Sequence, residues 1–159
     1  MEWLIKSFSK QCSVNGKIFS DDDDVVCLVC RDSSGSIVRF DVLKENIPYF
    51  TLSGSVIGQW KRRVSSEKNK NTISQQCVAH CEEFFFSLYE GESTREKDIL
   101  KQLFAFFLEK KRILRSFGKK MNGKQKFIHI KTKKEFLVSM EDFPPEDLTS
   151  LQNVFEMFV

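Results

Sequence analysis

A mixed α+β fold is predicted by three features of this sequence. Runs of β-branched and apolar residues are punctuated by tight-turn pairs in the first third of the chain, with Asn15-Gly16 and Ser34-Gly35 as the turn residues. Two stretches between residues 72 and 118 instead repeat their apolar residues at helical spacing. A third turn pair, Asn122-Gly123, then precedes a second set of short alternating segments. The expected architecture is an N-terminal antiparallel β part, a helical hairpin, a β-hairpin and a C-terminal helix, arranged around one long central helix.

Taken in order, Trp3 to Phe8 reads as a short strand and residues 12–17 as a turn, and the four aspartates Asp21, Asp22, Asp23 and Asp24 as a solvated bend. Val25 to Arg31 and Ser36 to Val42 read as a hairpin closed by Ser33, Ser34 and Gly35. The run VVCLVC is apolar on both faces, which places its strand in the middle of a sheet covered on both sides. Trp60 is an expected anchor where the β part meets the helices. Residues 61–71, KRRVSSEKNKN, carry almost no apolar surface and read as an exposed, mobile linker between a β-rich part, 1–64, and a second part, 72–159.

Thr72 with Gln75 has the spacing of a capping box and opens a helix to about Tyr89, with Ile73, Cys77, Cys81, Phe84, Phe85 and Leu88 on its buried face. Gly91 ends it. Ser93 with Glu96 repeats the capping-box spacing, and Gly118 is placed to end the central helix in a left-handed conformation. Ile99, Leu103, Phe106, Phe107, Leu114 and Phe117 form its stripe, widened by Leu100, Phe104, Leu108 and Ile113. Residues 127–130 and 135–138 pair as a hairpin through residues 131–134. Pro144 and Pro145 start a closing helix whose inner stripe is Leu148, Leu151, Phe155 and Phe158.

Charge is unevenly spread. Residues 1–100 carry 13 Lys and Arg against 15 Asp and Glu. Residues 101–134 carry 12 against Glu109 alone, and residues 135–159 carry six acidic residues and no Lys or Arg. The candidate nucleic-acid-binding residues are therefore Lys110, Lys111, Arg112, Arg115, Lys119, Lys120, Lys124, Lys126, Lys131, Lys133 and Lys134. A phosphate backbone is met by such a surface through counterion release. Cations at a helix C-terminus also offset the helix dipole, and lysine on a hairpin edge resists aggregation, so part of this charge has a purely structural use.

Five cysteines, with no signal-peptide run at the start, point to reduced thiols and a cytoplasmic setting. The candidate metal ligands are Cys12, Cys27, Cys30, Cys77, His80 and Cys81. Cys27 and Cys30 have C-x-x-C spacing, but on a strand they face opposite ways. His80 and Cys81 are helix neighbours about 100° apart, a poor arrangement for sharing a proton. His129 alternates with Phe127, Ile128 and Ile130 and is expected to face solvent. No GxSxG, HExxH or phosphate-cradling glycine loop is present.

The Cys12-x-x-Asn15-Gly16 turn before a strand hairpin, together with EKKRILR at residues 109–115, resembles a small bacterial protein family with a C-x-x-T-G start and a basic helix end. Asn15 stands where that family has Thr. The resemblance implies an architecture, a β-rich start leading to a helix, and no activity. The function expected from the sequence is a small cytoplasmic, non-enzymatic binding protein, without cofactor or membrane, whose segment 110–134 contacts an acidic partner such as RNA or a ribonucleoprotein. The alternatives are an adaptor that binds protein alone and a zinc-dependent enzyme.

Overall fold

Asp32 organises the first hairpin. Its Oδ1 accepts hydrogen bonds from the Ser34 and Ser36 N–H groups at 2.9 and 3.0 Å and from the Ser34 hydroxyl, and this leaves Gly35 at φ +87°. The computed structural model describes residues 3–4, 10–52, 54–64 and 70–142, with the backbone alone at 3–4 and 70–77. The turn joins β2 (Asp24–Arg31) to β3 (Ile37–Leu43), antiparallel, with Val25 opposite Leu43 and Arg31 opposite Ile37. β1 (Trp3–Leu4) runs parallel to β3 on its outer side, and β4 (Ser55–Arg63) pairs with the far edge of β2. The order is β1-β3-β2-β4. All six residues from Val25 to Cys30 are buried, as the two-sided apolar run predicts.

The Asn15-Gly16 turn forms as expected, with Gly16 at φ +72° and the Cys12 carbonyl accepting the Gly16 N–H at 2.9 Å. The Leu43 N–H reaches Cys12 Sγ at 3.4 Å, so this turn is tied to the end of β3. A 3-10 helix, Lys44–Tyr49, then leads toward β4.

β4 was not legible as a strand. Its register skips Ile57 between Gly58, opposite Val29, and Val56, opposite Cys30. Gly58 is there for space: a Cβ would lie 2.5 Å from Cε2 of Phe84. Two residues on, Trp60 is fully buried and meets the same Phe84 ring edge-on at 5.6 Å, the anchor between sheet and helices. The linker reading is corrected at both ends. Lys61, Arg62 and Arg63 finish β4, because the ladder with β2 continues to Asp24, and Lys70 and Asn71 already belong to the next helix. Residues 65–69 lie outside the described residues.

α1 (Lys70–Ser87) starts two residues before Thr72, so Thr72 is inside the helix and not its cap. Its described stripe is the expected one: Cys81, Phe84, Phe85 and Leu88 are all buried. α1 packs on β4 and on α2 (Arg95–Lys110), and α2 packs in turn on the second sheet. Thr94 caps α2, its Oγ1 accepting from the Lys97 N–H at 3.3 Å, a bond worth about 1 kcal/mol. The capping box expected at Ser93 does not form. Glu96, itself buried, is withdrawn into an ion pair with the partly exposed Arg31 of β2, and the Ser93 hydroxyl donates to Asp98.

The long central helix is corrected in the same way. α2 ends at Lys110 rather than at Gly118. The Ile113 N–H bonds the Leu108 carbonyl at 2.9 Å and the Arg112 N–H bonds the Glu109 carbonyl at 3.0 Å, a Schellman closure with Arg112, not glycine, at φ +61°. Leu114 and Phe117 therefore leave the helix stripe. The buried line of α2 is Ile99, Leu100, Phe104, Ala105 and Leu108, while Phe106 is 41% exposed.

The second sheet is the meander β5 (Leu114–Met121), β6 (Lys124–His129) and β7 (Glu135–Ser139). Asn122 at φ +53° and Gly123 at φ +73° supply the two left-handed residues of the β5–β6 turn. Gly118 sits at φ +73° in an irregular stretch of β5, where the Gln125 amide donates to the Phe117 and Gly118 carbonyls. The expected hairpin through residues 131–134 joins β6 and β7. Both sheets and both helices contribute to one hydrophobic core, from Cys12 to Val138. The expected closing helix lies outside the described residues. Among the described residues, no helix is long and apolar enough to cross a membrane.

Candidate nucleic-acid interface

The eleven basic candidates sort onto the second sheet and the helix end beside it. Lys110 closes α2, and Lys111 and Arg112 form its C-terminal turn. Arg115, Lys119 and Lys120 lie on β5, Lys124 and Lys126 on β6, and Lys131, Lys133 and Lys134 in the β6–β7 turn. Lys126 is half-buried and the other ten are exposed. The Ile130 N–H bonds the Ile113 carbonyl at 3.0 Å, so the helix end and the β6–β7 turn meet at one end of the sheet. Lys119, Lys120 and Lys124 stand at the other end, roughly 17–20 Å away along a six-residue strand.

The register separates the two faces. Ser116, Phe127 and Phe136 lie in one cross-strand row, and Leu114 pairs with His129; these face the helices. The opposite face carries the rows Arg115–Ile128–Glu135 and Phe117–Lys126–Leu137. On it Phe117 is 50% exposed, Leu137 55% and Met121 72%. Lys126 forms an ion pair with Glu135 at 3.5 Å, and Lys120 Nζ donates to the Met140 carbonyl at 3.3 Å. The surface is thus an aromatic and aliphatic row set among cations, with a basic cluster at each end. Sequence reading found the charge and missed Phe117, which it assigned to a helix core.

His129 is a second correction. It is 3% exposed, because period two puts it on the same face as Phe127. Its Nδ1 accepts from the Thr132 N–H at 3.1 Å and lies 2.7 Å from the Thr132 hydroxyl, which assigns the proton to Nε2. Nε2 then donates to Glu82 of α1 at 2.7 Å. The Phe86 ring stands edge-on to the imidazole at 5.3 Å. This clip ties the turn that bears Lys131, Lys133 and Lys134 to α1.

The thiols are dispersed. Cys12 lies in the first turn and Cys81 in the core stripe of α1, and Cys27 and Cys30 point to opposite faces of β2. Cys77 has no described side chain. Among the described residues, no three His, Cys, Asp or Glu side chains converge as a metal would require. Burial first, and the Asp41 carboxylate second, push Cys27 up to about 12 against the opposing pull of Arg39 and Arg62; burial alone pushes Cys30 up to about 12. At Cys12 burial raises the pKa, but hydrogen bonds from Leu43, Val14, Asn46 and Asn15 outweigh it and the net shift is downward. At pH 7 a thiol with such a raised pKa is ionised in about one molecule in 100,000. Cys27 and Cys30, buried and almost entirely protonated, and Cys81, fully buried, should stay unmodified by iodoacetamide in the native protein and react on unfolding. Mass spectrometry showing rapid native-state labelling of Cys27 or Cys30 would contradict the packing of the first sheet.

No protein-family model matches the chain, and neither curated proteins nor solved structures give a match.

Proposed function

We propose that the exposed face of the second sheet binds single-stranded nucleic acid, RNA in the first instance, and that the protein is a cytoplasmic, non-enzymatic binding module. The observation that carries this reading is the Phe117–Lys126–Leu137 row beside Arg115, with basic clusters at both ends. An aromatic ring exposed on a sheet offers a stacking platform worth about 1–3 kcal/mol per base, and flanking cations meet the phosphates. A duplex would present its phosphates to the cations but no free base face to Phe117.

Single-stranded RNA should bind at low salt with an affinity that falls steeply as salt rises. Replacing Lys119, Lys120 and Lys124 with Gln should flatten the log–log salt slope by about 0.7 for each phosphate contact removed, without changing the melting temperature. Phe117→Ala should weaken binding about tenfold with little effect on that slope, since stacking releases no counterions. A parent protein that fails to bind RNA at low salt would sink the reading. The exposed Phe117, Met121 and Leu137 would then favour a protein-docking adaptor.

A further inference from the structure

A second basic site lies on the first sheet, among residues that the charge pattern of segment 101–134 does not include. β2 begins, β3 ends and β4 finishes at the same edge of the sheet, with α1 nearby. There Lys44, Lys61, Arg62, Arg63 and His80 line a cleft of about 420 Å³ together with Asp24, Val25 and Val26. Four cationic side chains thus face one carboxylate, and that carboxylate pairs with Arg63 at 3.3 Å.

Two features distinguish this cleft from a scatter of solvated lysines. Arg62 is held, not free to swing: its side chain is 13% exposed, its Nη2 is 3.4 Å from Asp41, and its guanidinium lies over the Phe19 ring at 5.5 Å. Asp41 is shared with a second guanidinium, Arg39, at 2.8 Å, so a single carboxylate stands between two buried cations. The other feature is His80, whose Nδ1 is buried and has no hydrogen-bond partner. Burial first, then the fields of Arg62 and Arg39, lower its pKa from 6.5 to about 4, so at neutral pH the imidazole is uncharged and retains one N–H to donate. A pre-positioned guanidinium, a neutral N–H donor and exposed lysines at the rim together suit a tetrahedral oxyanion.

We infer that this cleft binds a phosphate group or a short polyphosphate, with Arg62 and His80 at its floor and Lys44 and Lys61 closing on the anion from the rim. Among the described lining residues none is Phe, Tyr or Trp and only Val25 and Val26 are apolar, so the cleft offers no broad ring or apolar wall against which a nucleoside would pack. The ligand is defined by its phosphate oxygens. The site is built from β2, β4, α1 and the 3-10 helix, and it does not depend on the nucleic-acid face of β5, β6 and β7.

Calorimetric titration of the full chain with inorganic phosphate and with pyrophosphate, at constant ionic strength, tests this. One saturable site per chain is expected, with pyrophosphate the tighter ligand and adenosine monophosphate no tighter than phosphate. Lys44→Gln combined with Lys61→Gln should weaken binding at least about tenfold, since each removes a charge-assisted hydrogen bond from an exposed position. Circular dichroism should show the native fold for this double variant. His80→Ala should also weaken binding. The Lys119, Lys120 and Lys124 to Gln variant should bind phosphate like the parent, which separates failure of this inference from failure of the RNA reading. Absence of saturable phosphate binding, unchanged affinity in the Lys44/Lys61 variant, or binding only when a nucleoside is attached would each overturn the inference.

Discussion

Truncating Phe104 to alanine should destabilise the protein by about 3–5 kcal/mol, measured by urea denaturation. Phe104 is fully buried, and its ring centroid lies 5.0 Å from that of Phe84, which in turn meets Trp60 edge-on. The three rings run in series from β4 through α1 to α2, so a cavity at Phe104 removes contacts from both helices at once. The surroundings cannot easily collapse into it. Phe84 is packed against Gly58 so closely that there is no room for a Cβ, and its position is set by the sheet as much as by α2. Phe106→Ala provides the contrast: at 41% exposure it should cost under about 1 kcal/mol. Equal losses at the two positions would mean that the buried line of α2 is misplaced by half a turn, and with it the packing of both sheets against the helices.

That contrast also marks where sequence reading stopped. Helical periodicity across residues 99–117 is satisfied equally by a helix ending at Gly118 and by one ending at Lys110, since Leu114 and Phe117 fit the 3.6-residue repeat by accident. The deciding signal is Asn122-Gly123. A type I′ turn needs a strand on each side, and a helix running to Gly118 leaves only three residues for the first of them. The same hairpin moves Phe117 from an expected core position to the exposed face, which is why the aromatic half of the candidate interface was missed while its charge was seen. β4 was hidden for a different reason. A glycine and an irregular register in SVIGQWKRR destroy the alternation of a strand, and both answer to a ring on α1 that no local pattern announces. By contrast, the β2–β3 hairpin and the stripe Cys81, Phe84, Phe85 and Leu88 were legible, because apolar spacing and turn chemistry agreed. His129 required only that period two be counted from Phe127. The basic cleft could not have been read locally, since Lys44, Lys61, Arg62 and His80 are brought together by the sheet and helix alone.

Asp41→Asn should cost about 3–5 kcal/mol, although it changes no shape. The Asp41 side chain is fully buried and those of Arg39 and Arg62 nearly so, with Arg39 also lying over the Trp60 ring at 5.1 Å. Removing the one negative charge leaves two guanidinium groups facing each other in a poorly solvated site without the carboxylate between them. Their repulsion and lost solvation exceed anything an amide can return. A second substitution separates this electrostatic cost from a packing defect. Adding Arg39→Met to Asp41→Asn removes one of the two cations and replaces it with an apolar chain, so the double variant should regain part of the loss and be more stable than Asp41→Asn alone. Strict additivity, with the double variant the less stable by the full cost of Arg39→Met, would show that the carboxylate is not balancing the arginines. The buried cluster would then contribute by packing alone, and the fixed position of Arg62 at the floor of the phosphate cleft would need another cause.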